Sequence, residues 1–289
     1  MVSVVTNDTP WSQNAVTSAS MLKNVAGLSQ TGAGRTNGQT FNLRGYAHDV
    51  WITGKQAENN VTAEIGYGHN FPSKGTIPDR RDFFETPRLY NGKETITLKP
   101  TSTDYVYKTD SAGNGNSYVL STKMKPGYWS RTSSGWKPVS REGRNDVTYC
   151  EFVTKYAKSF IPGEQQMPAQ LYQSPTGDEL EIIPLSDISR FGEDVKLKVL
   201  YKTSPLAGAT LELDSVSYLK SSRHTHATEH KHSAHKAELT FVSNEDGIIT
   251  IPSLHAGQWL AKVKNKKVFP DKSLCDETVD VATLSFSRN

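Results

Sequence analysis

Five of the eight histidines fall within twelve residues, at His224, His226, His230, His232 and His235. Neutral imidazole is a ligand for nickel, cobalt, zinc and copper, binding through one ring nitrogen while the other is held by a neighbour. Spacings of two (224/226 and 230/232) place pairs on one face of an extended chain. Spacings of four and three (226/230 and 232/235) pair on a helical turn. The stretch 221–236 therefore offers two to four ligands in several geometries, which suits capture and handover of a metal ion better than rigid catalysis. Ordering such a loop costs roughly 1–2 kcal/mol per residue, so its affinity alone is modest and it is expected to assist a better-organised site elsewhere. His48, at the start of a strand, and His69, where a strand meets a turn marked by Gly68 and Pro72, are the candidates. An inert solvated loop and a pH-responsive patch are the competing readings of the run, and two ordinary strand-end histidines are the competing reading of His48 and His69.

The elements that position these residues read as strands. Alternating apolar and polar residues mark 49–52, 61–67, 94–98 and 118–123 in the first part of the chain. In the second part they mark 180–183, 195–201, 210–213, 237–242, 247–251 and 257–263. The Gly/Asn-rich stretch 111–116 is a hairpin turn signal between two strands. Pro162, Pro168 and Pro175 punctuate a junction. The expected fold is all-β. A sandwich-like domain over 47–175 is followed by an immunoglobulin-like sandwich over 176–289, which carries the histidine-rich loop.

The 289 residues suffice for two cores, and a net charge of +3 with 22% charged residues gives no argument for nucleic acid. No apolar run of transmembrane length occurs, and residues 1–46 lack the basic start and apolar stretch of a secretory signal. Cys150 and Cys275 stand far apart with no CxxC pair, which excludes a thiolate zinc site. They form either one bridge or two buried thiols. No GxSxG elbow is present, the charges at 79–85 pair among themselves, and Trp129 and Trp136 fit packing better than a sugar platform.

Residues 1–46 carry a short helical candidate at 18–25 and end in Phe41-Asn-Leu-Arg-Gly-Tyr46. This segment resembles part of the plug domain of TonB-dependent outer-membrane receptors. Without a barrel to pack against it is expected to be loosely ordered, a fusion remnant that replaces a signal peptide.

From His48-Asp-Val-Trp-Ile onward an ordered series appears: Gly68-His-Asn-Phe-Pro72, Lys155-Tyr-Ala-Lys-Ser-Phe160, Gly177-Asp-Glu-Leu-Glu-Ile-Ile-Pro184 and Gly257-Gln-Trp-Leu260. Over 47–289 the series resembles the periplasmic nickel-uptake-associated family that accompanies energy-coupling-factor nickel/cobalt transporters. The resemblance implies a secreted, non-enzymatic β-sandwich protein that binds Ni2+, with Co2+, Zn2+ and Cu2+ as alternatives. It implies delivery to a membrane transporter, and His48 and His69 as ligands. In an exported relative, cleavage after Ala47 would expose the amine of His48 as a second chelating nitrogen beside its imidazole. The plug-like extension, which keeps His48 in mid-chain, is the departure from the family. Two other classes compete. A metal-dependent hydrolase would use His48, His69 and an acid such as Asp49. A carbohydrate- or protein-binding adhesion module would use the aromatic surface of the first domain.

Overall fold

The computed structural model describes residues 28–31, 40–43, 48–57, 59–68, 71–73, 81–110, 115–190, 192–219 and 237–289. In chain order the first strands are β1 (Leu28–Thr31), β2 (Thr40–Leu43), β3 (Asp49–Ala57), β4 (Asn60–Gly68), β5 (Arg88–Tyr90) and β6 (Thr95–Thr97). Then come β7 (Lys99–Pro100), β8 (Val106–Lys108), β9 (Tyr118–Thr132), β10 (Gly135–Lys137) and β11 (Val147–Ile161). The second half supplies β12 (Leu180–Pro184), β13 (Val195–Tyr201), β14 (Ser204–Pro205), β15 (Thr210–Ser215) and β16 (Leu239–Val242). It closes with β17 (Ile248–Ile251), β18 (Gly257–Val268) and β19 (Glu277–Arg288). The fold is all-β and sandwich-like, as the alternation predicts. Among the described residues no helix is long and apolar enough to cross a membrane.

One nine-stranded sheet runs through the molecule in the order β16-β15-β18-β19-β11-β9-β5-β6, with β10 beside β9. Residues on both sides of position 175 contribute strands to it. Two four-stranded sheets flank it: β3-β4-β8-β7, and β12-β13-β14 with β17 on β13. Strand periodicity decides which core each residue joins. On β19, Val279 and Val281 enter the core with Val50, Ile52, Val61, Ile65, Leu120 and Val153. The alternate residues Ala282, Leu284 and Phe286 enter the other core with Leu180, Leu197, Leu211, Ile249 and Trp259. The central sheet is thus shared by two sandwiches, one on each face.

Strand β3 is an edge strand, and its outward carbonyls are sealed by side chains of the central sheet. Lys155 Nζ donates to the carbonyl of His48, Thr283 Oγ1 to that of Val50 at 2.7 Å, and Ser285 Oγ to that of Ile52 at 2.5 Å. Residues 48, 50 and 52 point the same way because the strand repeats every two residues. Three polar groups that would otherwise be buried without partners are satisfied in register.

The turn signal at 111–116 does not close a hairpin. Strand β8 before it pairs with β4 and β7, whereas β9 after it pairs with β11, β5 and β10. The connection passes from one layer to another, and residues 111–114 of it lie outside the described residues. Cys150 and Cys275 are bridged, so the alternative of two thiols falls. The bridge joins β11 to the residues leading into β19. Beside it the guanidinium of Arg141 grips Asp276, which also accepts from the Cys150 amide at 2.8 Å.

Trp129 is buried, and Trp136 packs half-buried on the same core, as the packing reading expects. In the N-terminal segment β1 and β2 pair antiparallel, Leu28 opposite Leu43 and Thr31 opposite Thr40. The helix read over 18–25 and the remainder of the plug-like stretch lie outside the described residues.

Candidate metal centre

His48 enters β3 half-buried, its ring 4.8 Å from that of Tyr67. Lys155, on β11, holds the His48 carbonyl and lies 5.8 Å from the Tyr67 ring. Burial lowers the ammonium of Lys155 to about 8, because a cation in an apolar interior loses hydration. The next side chain, Asp49, meets Lys262 of β18 at 3.2 Å, and Lys262 also meets Glu212 of β15 at 2.8 Å. Burial alone would lower the Lys262 ammonium, but the carboxylates of Asp49 and Glu212 outweigh it and raise the group to about 12.

Strand β4 ends at Gly68, whose partner across the ladder is Asp49. The antiparallel pairing therefore brings His48 and Gly68 to the same end of one hairpin. His69 itself lies outside the described residues, as do His224, His226, His230, His232 and His235. Their attachment points are described. Trp51, three residues after His48, packs in a small cluster with Phe71, two residues after His69. Their rings meet edge to face, 5.8 Å apart. Leu219, the last described residue before the histidine-rich stretch, packs in the same cluster together with Leu260 of β18.

Gly66, opposite Trp51, makes the cluster possible, since a Cβ there would stand 2.0 Å from the indole. Described residues close in sequence to His48, to His69 and to the start of the histidine-rich stretch thus share one apolar cluster.

The far end of the histidine-rich stretch returns at Glu238, immediately before β16. Glu238 Oε2 accepts from the Ser215 amide at 2.9 Å and from Ser215 Oγ at 2.6 Å, while its own amide donates to Asp214 at 2.8 Å. Its Oε1 faces Nε2 of His255 at 3.9 Å. The His255 ring lies 4.6 Å from that of Trp259, whose indole nitrogen donates to the His255 carbonyl at 3.1 Å. Sequence reasoning missed both residues. A single histidine and a single glutamate seventeen positions apart carry no spacing signature. Only the pairing of β15 with both β16 and β18 brings them together.

Among the described residues no group of three or more His, Cys, Asp or Glu side chains is gathered to hold a metal ion.

The family described as a domain of unknown function, DUF4198, matches residues 45–267, and the chain belongs to it. Hemin receptors of Yersinia enterocolitica and Yersinia pestis are each 54% identical to this chain over 53 residues. That match covers 18% of this chain and only 8% of either receptor's length. A short match to such receptors is compatible with a plug fragment. The crystal structure of murine CEACAM1b overlaps 83% of this chain and all of its own, at 13% identity and a TM-score of 0.21, too loosely to carry an argument.

Proposed function

We propose that this protein binds a divalent transition-metal ion, nickel or cobalt, in the periplasm and delivers it to a membrane uptake transporter. The observation that carries this reading is the shared anchor of Trp51, Phe71 and Leu219. It gathers Trp51, Phe71 and Leu219, described residues close in sequence to His48, His69 and the start of the five-histidine stretch, into one apolar cluster. A hydrophobic anchor of this kind lowers the ordering cost that would make a free histidine loop a weak ligand. The disulfide supports a compartment outside the cytoplasm, since such bridges persist where the environment is oxidising. It also removes both thiols from the ligand set, leaving imidazole and carboxylate, which suit nickel and cobalt. The salt bridge from Asp49 to Lys262 speaks against the hydrolase alternative, because a general base needs a carboxylate not already neutralised by a lysine.

The test is calorimetric titration of chelator-stripped full-length protein with Ni(II), Co(II), Zn(II) and Cu(II). Uptake at micromolar concentration is expected, with a weak phase that disappears when His224, His226, His230, His232 and His235 are all replaced by Ala. A tighter phase should go with His48→Ala or His69→Ala. Protein that takes up none of the four ions ends the proposal.

A further inference from the structure

We propose that His255 and Glu238 form a fixed two-ligand anchor for a divalent transition-metal ion, a site distinct from His48 and His69. The inference rests on the metal-binding reading above and deepens it.

Each group is held by every atom except the one it presents. In His255 the partner of Nδ1 is the carbonyl of Ala256, at 2.7 Å. A carbonyl carries no proton, so Nδ1 must be the donor, and the lone pair of the neutral ring is left on Nε2. Donation from the second ring nitrogen to a backbone carbonyl is the arrangement that orients metal-binding histidines and raises their basicity. The ring is further fixed by its contact with Trp259, a residue of the buried core. In Glu238 the oxygen Oε2 is committed to the amide and hydroxyl of Ser215. That hydroxyl is itself placed 2.9 Å from Ser217 Oγ.

What remains is Nε2 facing Oε1 across 3.9 Å. Two electron-rich atoms lie close together, beyond hydrogen-bond distance. Water can donate to both atoms at this exposed edge, and a cation between them, either a proton on Nε2 or a metal ion, binds both lone pairs directly. A proton draws nitrogen and oxygen to about 2.7–2.9 Å. A zinc-sized ion, bound at about 2.0–2.2 Å to each, keeps them roughly 3–3.5 Å apart at tetrahedral or square-planar angles. The observed gap is nearer the second. His255 is 51% exposed and Glu238 23% exposed, so the imidazole has room to close the remaining half ångström or so, and water has access to the other coordination positions. By contrast, the ion pair of Lys158 and Glu181 is closed at 2.8 Å and almost wholly buried. It offers no such opening.

The experiment uses the full-length oxidised chain and Co(II) or Ni(II) as the bare aquo ion. Binding is read by titration and by paramagnetic broadening of the Trp259 indole NH resonance in NMR. In a protein whose five loop histidines are Ala, metal should still broaden the Trp259 signal. His255→Ala or Glu238→Gln in that background should abolish the broadening and weaken this phase at least tenfold. Both variants alter partly exposed side chains, and Gln can still accept from Ser215. Loss of the phase with unchanged thermal unfolding therefore reports on the ligand.

If wild-type protein binds metal while Trp259 stays sharp, or if His255→Ala binds as the parent does, the pair is an ion pair alone. The anchor is then wrong although metal capture stands. If wild-type protein binds no metal, both readings fall together.

Discussion

Two carboxylates of this protein are built from similar parts and end differently. Glu181 sits on β12 and Glu238 just before β16; each is gripped by backbone amide and hydroxyl donors, and each faces a basic side chain. Both oxygens of Glu181 are committed. Oε2 takes Lys158 at 2.8 Å, the Thr176 amide and the Thr176 hydroxyl, while Oε1 takes the Gly177 amide at 2.8 Å. Glu238 has one oxygen committed and the other facing an imidazole at 3.9 Å. A carboxylate whose acceptor sites are filled from within the chain is part of the scaffold. One with an oxygen left over is available to a ligand.

The largest effect expected from this contrast is on stability. Glu181→Gln strands the Lys158 ammonium between two layers and should cost about 3–5 kcal/mol in urea unfolding, with metal uptake per folded molecule unchanged. Burial alone would raise the Glu181 carboxyl. Lys158 and the amides of Thr176 and Gly177 overcome that and leave it below its ordinary value. The native state therefore favours the ionised form. Its contribution is complete above the ordinary glutamate range and is lost as pH falls through the lowered value. Glu181→Gln should flatten the acid limb of the stability curve accordingly.

Lys155 sharpens the comparison from the other side, as a buried cation bound to a carbonyl rather than to a carboxylate. Its native value near 8 lies below the 10.5 of the unfolded chain. Between those values the unfolded state holds more protons, so stability should rise with pH across the window, by up to about 3 kcal/mol. Lys155→Met should remove that rise in a series of melts from pH 7 to 11.

Thr283→Val, which deprives the Val50 carbonyl of its hydroxyl partner, is expected to cost about 1–3 kcal/mol. Glu238→Gln should change stability least, by no more than about 1 kcal/mol, while changing metal binding most. A stability loss as large as that of Glu181→Gln would erase the distinction between the two groups.

The parts of the fold legible in the sequence are those with one face in a core. Strand β13 buries Val195, Leu197 and Val199 while Lys196 points outward, and β4 and β15 alternate as visibly. The two strands at the centre of the molecule escaped. Strands β11 and β19 are buried on both faces, and their polar residues are not solvent markers. Lys155, Thr283 and Ser285 seal the edge of β3, while Lys158 pairs with Glu181. Without solvent on either side there is no alternation to read, so these two central strands were not legible. The histidine-rich run announced itself by residue type. His255 and Glu238 did not, because their meeting depends on strand pairing rather than spacing.

The position of β19 has a consequence for how the molecule is made. Of the described strands it is the last in the chain, yet it lies between β18 and β11, antiparallel to one and parallel to the other. A ribosome must release nearly all the described residues before the two halves of the sheet acquire a common neighbour. Until then each half presents an unpaired edge, a known route to mispairing in nascent β proteins. Cys150 emerges 125 residues ahead of Cys275 and must wait as a thiol for its partner. Closure of the nine-stranded sheet is thereby postponed to the arrival of β19.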